Sequence, residues 1–169
     1  MNNRIWLTSY SEGVPPEIGT PGHRSIGELF REAVEEFGDR VAFRNFGAEL
    51  TFNQVSRLSR DFGAYLQNEL GLTKGDRIAM MAPNSLAFAV GMFGVIRAGG
   101  VQVNVNPLYS PSELQHQLED ADTDTIIIFS GSTQTLAEVI DQTPVKNVIV
   151  FGLDDLVKKD LPSPPVDAR

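Results

Sequence analysis

The chain has 169 residues, and 14 Lys and Arg against 22 Asp and Glu give it a formal net charge of −8. Hydrophobic residues make up 41% and charged residues 21%, the composition of a folded globular domain. The absence of cysteine excludes disulfides, thiolate catalysis and Cys-ligated metal, the two histidines stand far apart, and net acidity argues against nucleic acid as a partner.

Residues 1–24 read as an irregular arm, broken by Pro15, Pro16, Gly19, Pro21 and Gly22. Its apolar core, Ile5-Trp6-Leu7, is too short for the h-region of a signal peptide, so the expected compartment is the cytoplasm. Trp6 and Tyr10 either pack on the body of the domain or reach a partner subunit. A helix is expected over 25–37, with Ser25 and Glu28 in capping-box spacing and Ile26, Leu29, Phe30, Ala33, Val34 and Phe37 on one stripe. Segments 41–46 and 49–52, separated by Gly47-Ala48, read as a small hairpin. Thr51, with Gln54 as its reciprocal partner, caps the next helix, which Gly71 ends.

From Asp76 the texture becomes an alternation of strands and helices. IAMMA (78–82), VQVNV (101–105), TIIIF (125–129) and NVIVF (147–151) are short apolar runs, and helical patterns lie between them at about 84–98, 111–121 and 133–141. The expected fold is therefore α/β: right-handed βαβ units on a parallel sheet, with the small hairpin beside it. Runs that are apolar rather than alternating suit strands covered on both faces. The helix at 84–98 is apolar nearly all round and must be buried on most sides, in a larger body or against a neighbouring element. Its apolar run, Leu86 to Ile96, is far short of the ~20 residues a membrane span needs. After Gly152 the pattern dissolves, and Pro162, Pro164 and Pro165 mark a linker. The reading thus divides the chain into an arm (1–24), an α/β subdomain (25–152) and a linker (153–169).

No catalytic constellation stands out. A dinucleotide fingerprint, a Walker loop and a nucleophile elbow are all missing. Gly91 and Gly94 fall inside a helix, where they suit close packing, and Gly99 and Gly100 suit its C-cap. The segment Ser130-Gly131-Ser132-Thr133 leaves two readings open. Ser132 caps the following helix, or the loop holds a phosphate, as in a flavodoxin-like nucleotide binder. Asn84 is expected to cap the helix at 84–98, and Ser110-Pro111-Ser112-Glu113 forms a capping box with Pro at N1. Glu119, Asp120, Asp122 and Asp124 read as a solvated acidic face, with His116 exposed nearby. No residue is assigned as catalytic, cofactor-binding or metal-binding.

Four segments, in order and spacing, resemble the AMP-forming adenylating enzymes. They are Leu50-Thr51-Phe52-Asn53-Gln54-Val55, Gly75-Asp76-Arg77-Ile78-Ala79, Pro83-Asn84-Ser85, and the run from Arg97-Ala98-Gly99-Gly100 to Val105. Within that superfamily, Asn104 to Tyr109 continuing into Ser110-Pro111-Ser112-Glu113-Leu114 is similar to bacterial long-chain-fatty-acid–CoA ligases, as is the arm with Ile5-Trp6-Leu7 and Val14-Pro15-Pro16-Glu17-Ile18. The resemblance implies the N-terminal subdomain of a longer ligase that converts a fatty acid and ATP to an acyl-adenylate and then, with coenzyme A, to acyl-CoA. ATP, Mg²⁺ and coenzyme A belong to that longer protein, whose phosphate loop and catalytic Lys lie later in the family's chains; no cofactor is expected in these residues. The chain is thus expected to be a truncated, catalytically silent piece, with a stand-alone dimerisation or binding module as the alternative. Its partners are then the rest of the same chain and a possible second copy, and the longer protein is cytoplasmic or peripheral at the inner membrane. The same view expects the helix at 84–98 to be covered by later parts of the chain.

Overall fold

A computed structural model describes residues 4–157. Helix α1 (Ile26–Phe37) begins at Ser25, whose Oγ accepts from the Glu28 N–H at 3.1 Å. The reciprocal bond of the expected capping box is displaced by one residue, because the Glu28 carboxylate accepts from the Arg24 N–H at 2.6 Å. Strands β1 (Val41–Asn45) and β2 (Ala48–Thr51) pair antiparallel around Phe46 and Gly47, at φ +48° and +75°. Two left-handed residues give a tight turn whose twist matches that of the strands. Thr51 then opens α2 (Phe52–Asn68) with both halves of the capping box formed.

Strands β3 (Arg77–Met81), β4 (Val101–Val105), β5 (Thr125–Phe129) and β6 (Asn147–Phe151) make one parallel sheet in the order β4-β3-β5-β6. They lie within a residue of the expected segments. Helices α3 (Leu86–Ala98), α4 (Pro111–Ala121) and α5 (Thr133–Ala137) connect them. Successive residues of a strand point to opposite faces. Ile78, Met80 and Ile127 accordingly pack under α2 and α3, while Ala79, Met81, Ile126 and Ile128 pack with Leu114, Leu118 and Leu136 of α4 and α5. The central strands β3 and β5 are buried on both faces, as their unbroken apolar runs require; the edge strands are covered less. Phe30, Leu50, Val55, Leu86 and Val90 form a third cluster, joining α1 and the hairpin to the helical layer.

Three expectations change in the structure. First, α3 is already covered by its own neighbours. α2, α1 and the sheet leave Arg97 as its one exposed residue, while Ala87, Phe88, Met92, Phe93 and Ile96 stay half-buried. The closeness comes from glycines: a Cβ on Gly63 would lie 3.0 Å from the Gly94 carbonyl oxygen, and one on Gly94 would lie 2.6 Å from the Phe62 ring. Second, the third helix of the alternation is shorter than 133–141. It breaks after Ala137 and resumes as a 3-10 turn over Ile140–Gln142, with buried Val139 leaving helical geometry at φ −129° between them. Third, the arm does not bury its aromatic residues in the domain. Ile5–Ser9 is a 3-10 turn with no buried residue, and Ile5, Trp6, Tyr10, Val14 and Ile18 are exposed. An Arg4–Glu17 ion pair holds the arm to itself, and His23 Nδ1 lies 3.2 Å from a Glu32 carboxylate oxygen on α1.

Beyond β6 the chain turns: the Gly152 N–H donates to Asp155 Oδ2 at 2.8 Å, and Val157 packs on the third cluster. The rest of the expected linker lies outside the described residues.

Candidate functional site

In a doubly wound sheet, ligands bind beyond the carboxyl ends of the strands where the winding direction reverses. The chain passes from β3 outward to β4, then back across β3 to β5, so the reversal falls between β3 and β5. The segments opening there are 82–85 and 130–132, and they carry Ala82, Pro83, Asn84, Ser85, Ser130, Gly131 and Ser132. None of these side chains is ionisable, so this crevice offers no acid, base or cationic clamp.

Ser130–Ser132 is a single 3-10 turn leading into a five-residue helix. The expected cap at Ser132 does not form. Its Oγ donates instead to the Pro107 carbonyl at 3.3 Å, tying the β5 exit to the β4 exit. Thr133 Oγ1 donates to the Ser130 carbonyl at 2.8 Å. Ser130 Oγ is buried and has no hydrogen-bond partner among the described residues. The hydroxyls of Ser132 and Thr133 are therefore spent on holding the turn together.

The other polar positions also serve the backbone. Ser85 rather than Asn84 caps α3, its Oγ accepting from the Phe88 N–H at 3.1 Å; Asn84 is exposed. The cap thus lies one residue later than expected. Glu113 accepts from both the Oγ (2.6 Å) and the N–H (2.8 Å) of Ser110, which lowers its carboxyl pKa from the ordinary 4.5. The Asn106 side chain accepts from the Leu108 N–H and shapes the turn after β4. His116 and the acids Glu119, Asp120, Asp122 and Asp124 are exposed, as expected.

Two hollows border the parallel sheet. A polar one of about 510 Å³ is lined by Gly75, Asp76, Arg77, Asp122, Asp124 and Lys146, at the amino ends of the strands and so at the end of the sheet opposite the usual site. Asp76 is committed there to the N–H and hydroxyl of Thr73, bonds that lower its pKa. An apolar cleft of about 310 Å³ lies between α2, α3, β5 and β6, with Phe62, Gly91, Ile149, Phe151 and Leu156 among its walls. Sequence reasoning missed this cleft, because its walls come from four elements far apart in the chain.

The crevice between β3 and β5 does not fit ATP and Mg²⁺. Among the described residues no three His, Cys, Asp or Glu side chains converge as a metal site, and no Lys or Arg stands in the crevice between β3 and β5. A triphosphate needs such cations or a nest of free N–H groups. No catalytic step is therefore assigned to residues of this chain.

What the local chemistry withholds, comparison with known proteins supplies. The AMP-binding enzyme family matches residues 30–167. The chain belongs to that family. Long-chain-fatty-acid–CoA ligases of Escherichia coli O6:H1 and Salmonella typhimurium are 45% and 46% identical to it over 152 residues. Both alignments cover 90% of this chain and 27% of the relative. The ligase of Bacillus subtilis is 36% identical over 159 residues. The chain thus spans about a quarter of the length of these curated relatives, against their N-terminal part. Among solved structures, the long-chain-fatty-acid-CoA ligase FadD1 from Archaeoglobus fulgidus superposes with a TM-score of 0.69 at 22% identity, over 83% of this chain and 31% of that one. The N-terminal domain of FACL13 from Mycobacterium tuberculosis gives 0.72 at 24% identity, over 86% and 38%. These likenesses show the fold: the N-terminal α/β scaffold of the adenylating enzymes.

Proposed function

We propose that the chain is the N-terminal scaffold of a ligase that joins long-chain fatty acids to coenzyme A through an acyl-adenylate. One observation carries the reading: 45% identity over 152 residues to long-chain-fatty-acid–CoA ligases. In this role the residues described here supply a rigid sheet and two helical layers, while ATP, Mg²⁺, the fatty acid and coenzyme A are held by the remainder of the ligase. By itself the chain has no adenylating activity. Association with a second copy, cytoplasmic placement and peripheral contact with the inner membrane belong to the same reading and rest on the resemblance; no described helix is long and apolar enough to cross a membrane.

The test is a chimera in which this chain replaces the matching stretch of the Escherichia coli ligase. Acyl-CoA formation from a long-chain fatty acid, ATP and coenzyme A is the expected result. A folded chimera that binds ATP but forms no acyl-CoA contradicts the proposal. The stand-alone module is the second reading, favoured by the cover that α1, α2 and the sheet give α3, of whose residues only Arg97 is exposed; a chimera that never folds would point to it.

A further inference from the structure

Where α1, α2 and α3 cross, the chain gathers positive charge that the ligase reading does not use. Phe30 of α1 stacks on Phe93 of α3 with ring centroids 3.8 Å apart, and the Arg97 guanidinium lies over the Phe30 ring at 5.9 Å. Arg97 Nη1 donates to the Ser56 carbonyl at 2.6 Å and to the hydroxyls of Ser56 and Ser59 at 3.2 and 3.1 Å. These acceptors are neutral, so they fix the charge in place without cancelling it. Arg60 follows Ser59 on α2 and Arg31 follows Phe30 on α1, and all three arginines are exposed. Burial, and then the positive charges of Arg60 and Arg31, lower the Arg97 pKa. Carboxylates offset little of this charge. Asp61 accepts from Arg60 Nε and Nη2 at 3.2 and 3.1 Å and lies 3.9 Å from Arg57. Glu28 feels the charge of Arg31 but bonds through both oxygens to Arg24. Arg31 itself has no hydrogen bond or ion pair among the described residues.

We infer that Arg31, Arg60 and Arg97 form an anion site for a phosphate group, carried by a soluble molecule or by a lipid headgroup. Charge and valence select that group. Three guanidiniums set against one bonded carboxylate, Asp61, leave two positive charges at the crossing. A phosphate dianion brings two negative charges and three acceptor oxygens, one for each guanidinium. A carboxylate brings one charge and two oxygens, and leaves one guanidinium unmet. Arg97, pinned over Phe30 through Nη1, presents Nε and Nη2 already ordered, so binding pays little for its side-chain entropy. The chain as a whole carries a net charge of −8 and repels anions elsewhere, which confines their attraction to this cluster.

Isothermal titration calorimetry of the whole chain with inorganic phosphate tests the inference, at about pH 8, where the dianion dominates, and at an ionic strength held constant with chloride. Saturable binding is expected, weakened about tenfold in R31Q and in R60Q by the loss of one charged hydrogen bond. R44Q, whose arginine pairs with Glu49 on the hairpin, should bind as the parent does. Arg31 and Arg60 are exposed, so their variants keep the fold, which circular dichroism checks; Arg97 is left intact because it ties α3 to α2. As a second readout, phosphate should raise the thermal midpoint of the parent and not that of the R31Q/R60Q double variant. Vesicles separate the two sources. Flotation of the parent, but not of R31Q/R60Q, with phosphatidylcholine vesicles containing phosphatidate supports a lipid headgroup. Phosphate binding without flotation supports a soluble phosphate. A parent that neither binds phosphate saturably nor floats, or binding that R31Q and R60Q leave unchanged, overturns the inference.

Discussion

Gly91 and Gly94 sit one turn apart in α3 and differ in what faces them. A Cβ on Gly91 would come within 2.7 Å of Met80 Cε, the far end of a flexible side chain. One on Gly94 would press on the Phe62 ring at 2.6 Å and the Ser59 carbonyl oxygen at 3.3 Å, neither free to swing away. Alanine in place of glycine gains about 1 kcal/mol of helix propensity, whereas overpacking costs about 1–3 kcal/mol. G91A is therefore expected within about 1 kcal/mol of the parent, and G94A about 2 kcal/mol below G91A, in urea unfolding at matched m-values. Equal stabilities would contradict the packing described for α2 and α3. The close-packing role of both glycines was legible from their place inside an apolar helix. Their unequal tolerance was not, because it depends on whether Met80 or Phe62 stands opposite.

At the scale of elements, α2 starts at a fully formed capping box, with Gln54 N–H to Thr51 Oγ1 at 3.2 Å and Thr51 N–H to Gln54 Oε1 at 2.8 Å. T51A removes one of these bonds and is expected to cost about 1 kcal/mol by thermal or urea melting; an unchanged midpoint would contradict the role given to Thr51. The same cap was readable in advance because it depends on residues three apart. So were α4, whose bounds Pro111–Ala121 follow the expected segment, and the four strands, whose apolar runs are short and bounded by breakers. Caps went astray where neighbouring groups compete for one bond, and in one case where a distant carbonyl does. Glu28 turned to the Arg24 N–H, Ser85 displaced Asn84 as a cap, and Ser132 left its helix for the Pro107 carbonyl. The uncharged character of the crevice between β3 and β5 could be read from Ala82 to Ser85 and Ser130 to Ser132. The apolar cleft could not, since only the sheet order brings β6 beside α3.

For the molecule as a whole, acid sensitivity follows from three carboxylates, half-buried Glu28 and exposed Asp76 and Glu113, held below their ordinary pKa. Arg24 lowers Glu28 through side-chain and then backbone hydrogen bonds, Thr73 lowers Asp76 through its N–H and hydroxyl, and Ser110 lowers Glu113. A lowered folded pKa contributes stability that is complete above the unfolded value and is lost as pH falls through the folded one. With ordinary values of 4.5 for Glu and 3.8 for Asp, that loss begins below about pH 4.5. The thermal midpoint should therefore fall steeply below that pH, and less steeply in E113Q. A midpoint that rises on acidification from pH 4.5 to 3 would contradict the assignment.

The proposed role, a scaffold for chemistry held elsewhere in its family's longer chains, is tested most directly by ATP–pyrophosphate exchange. The 169-residue chain, purified from a host without its own acyl-CoA ligase and shown by circular dichroism to be folded, should support no exchange above the buffer with long-chain fatty acid, ATP and Mg²⁺. Exchange that follows the chain through purification and depends on the fatty acid would show an adenylating centre within these residues and contradict the account.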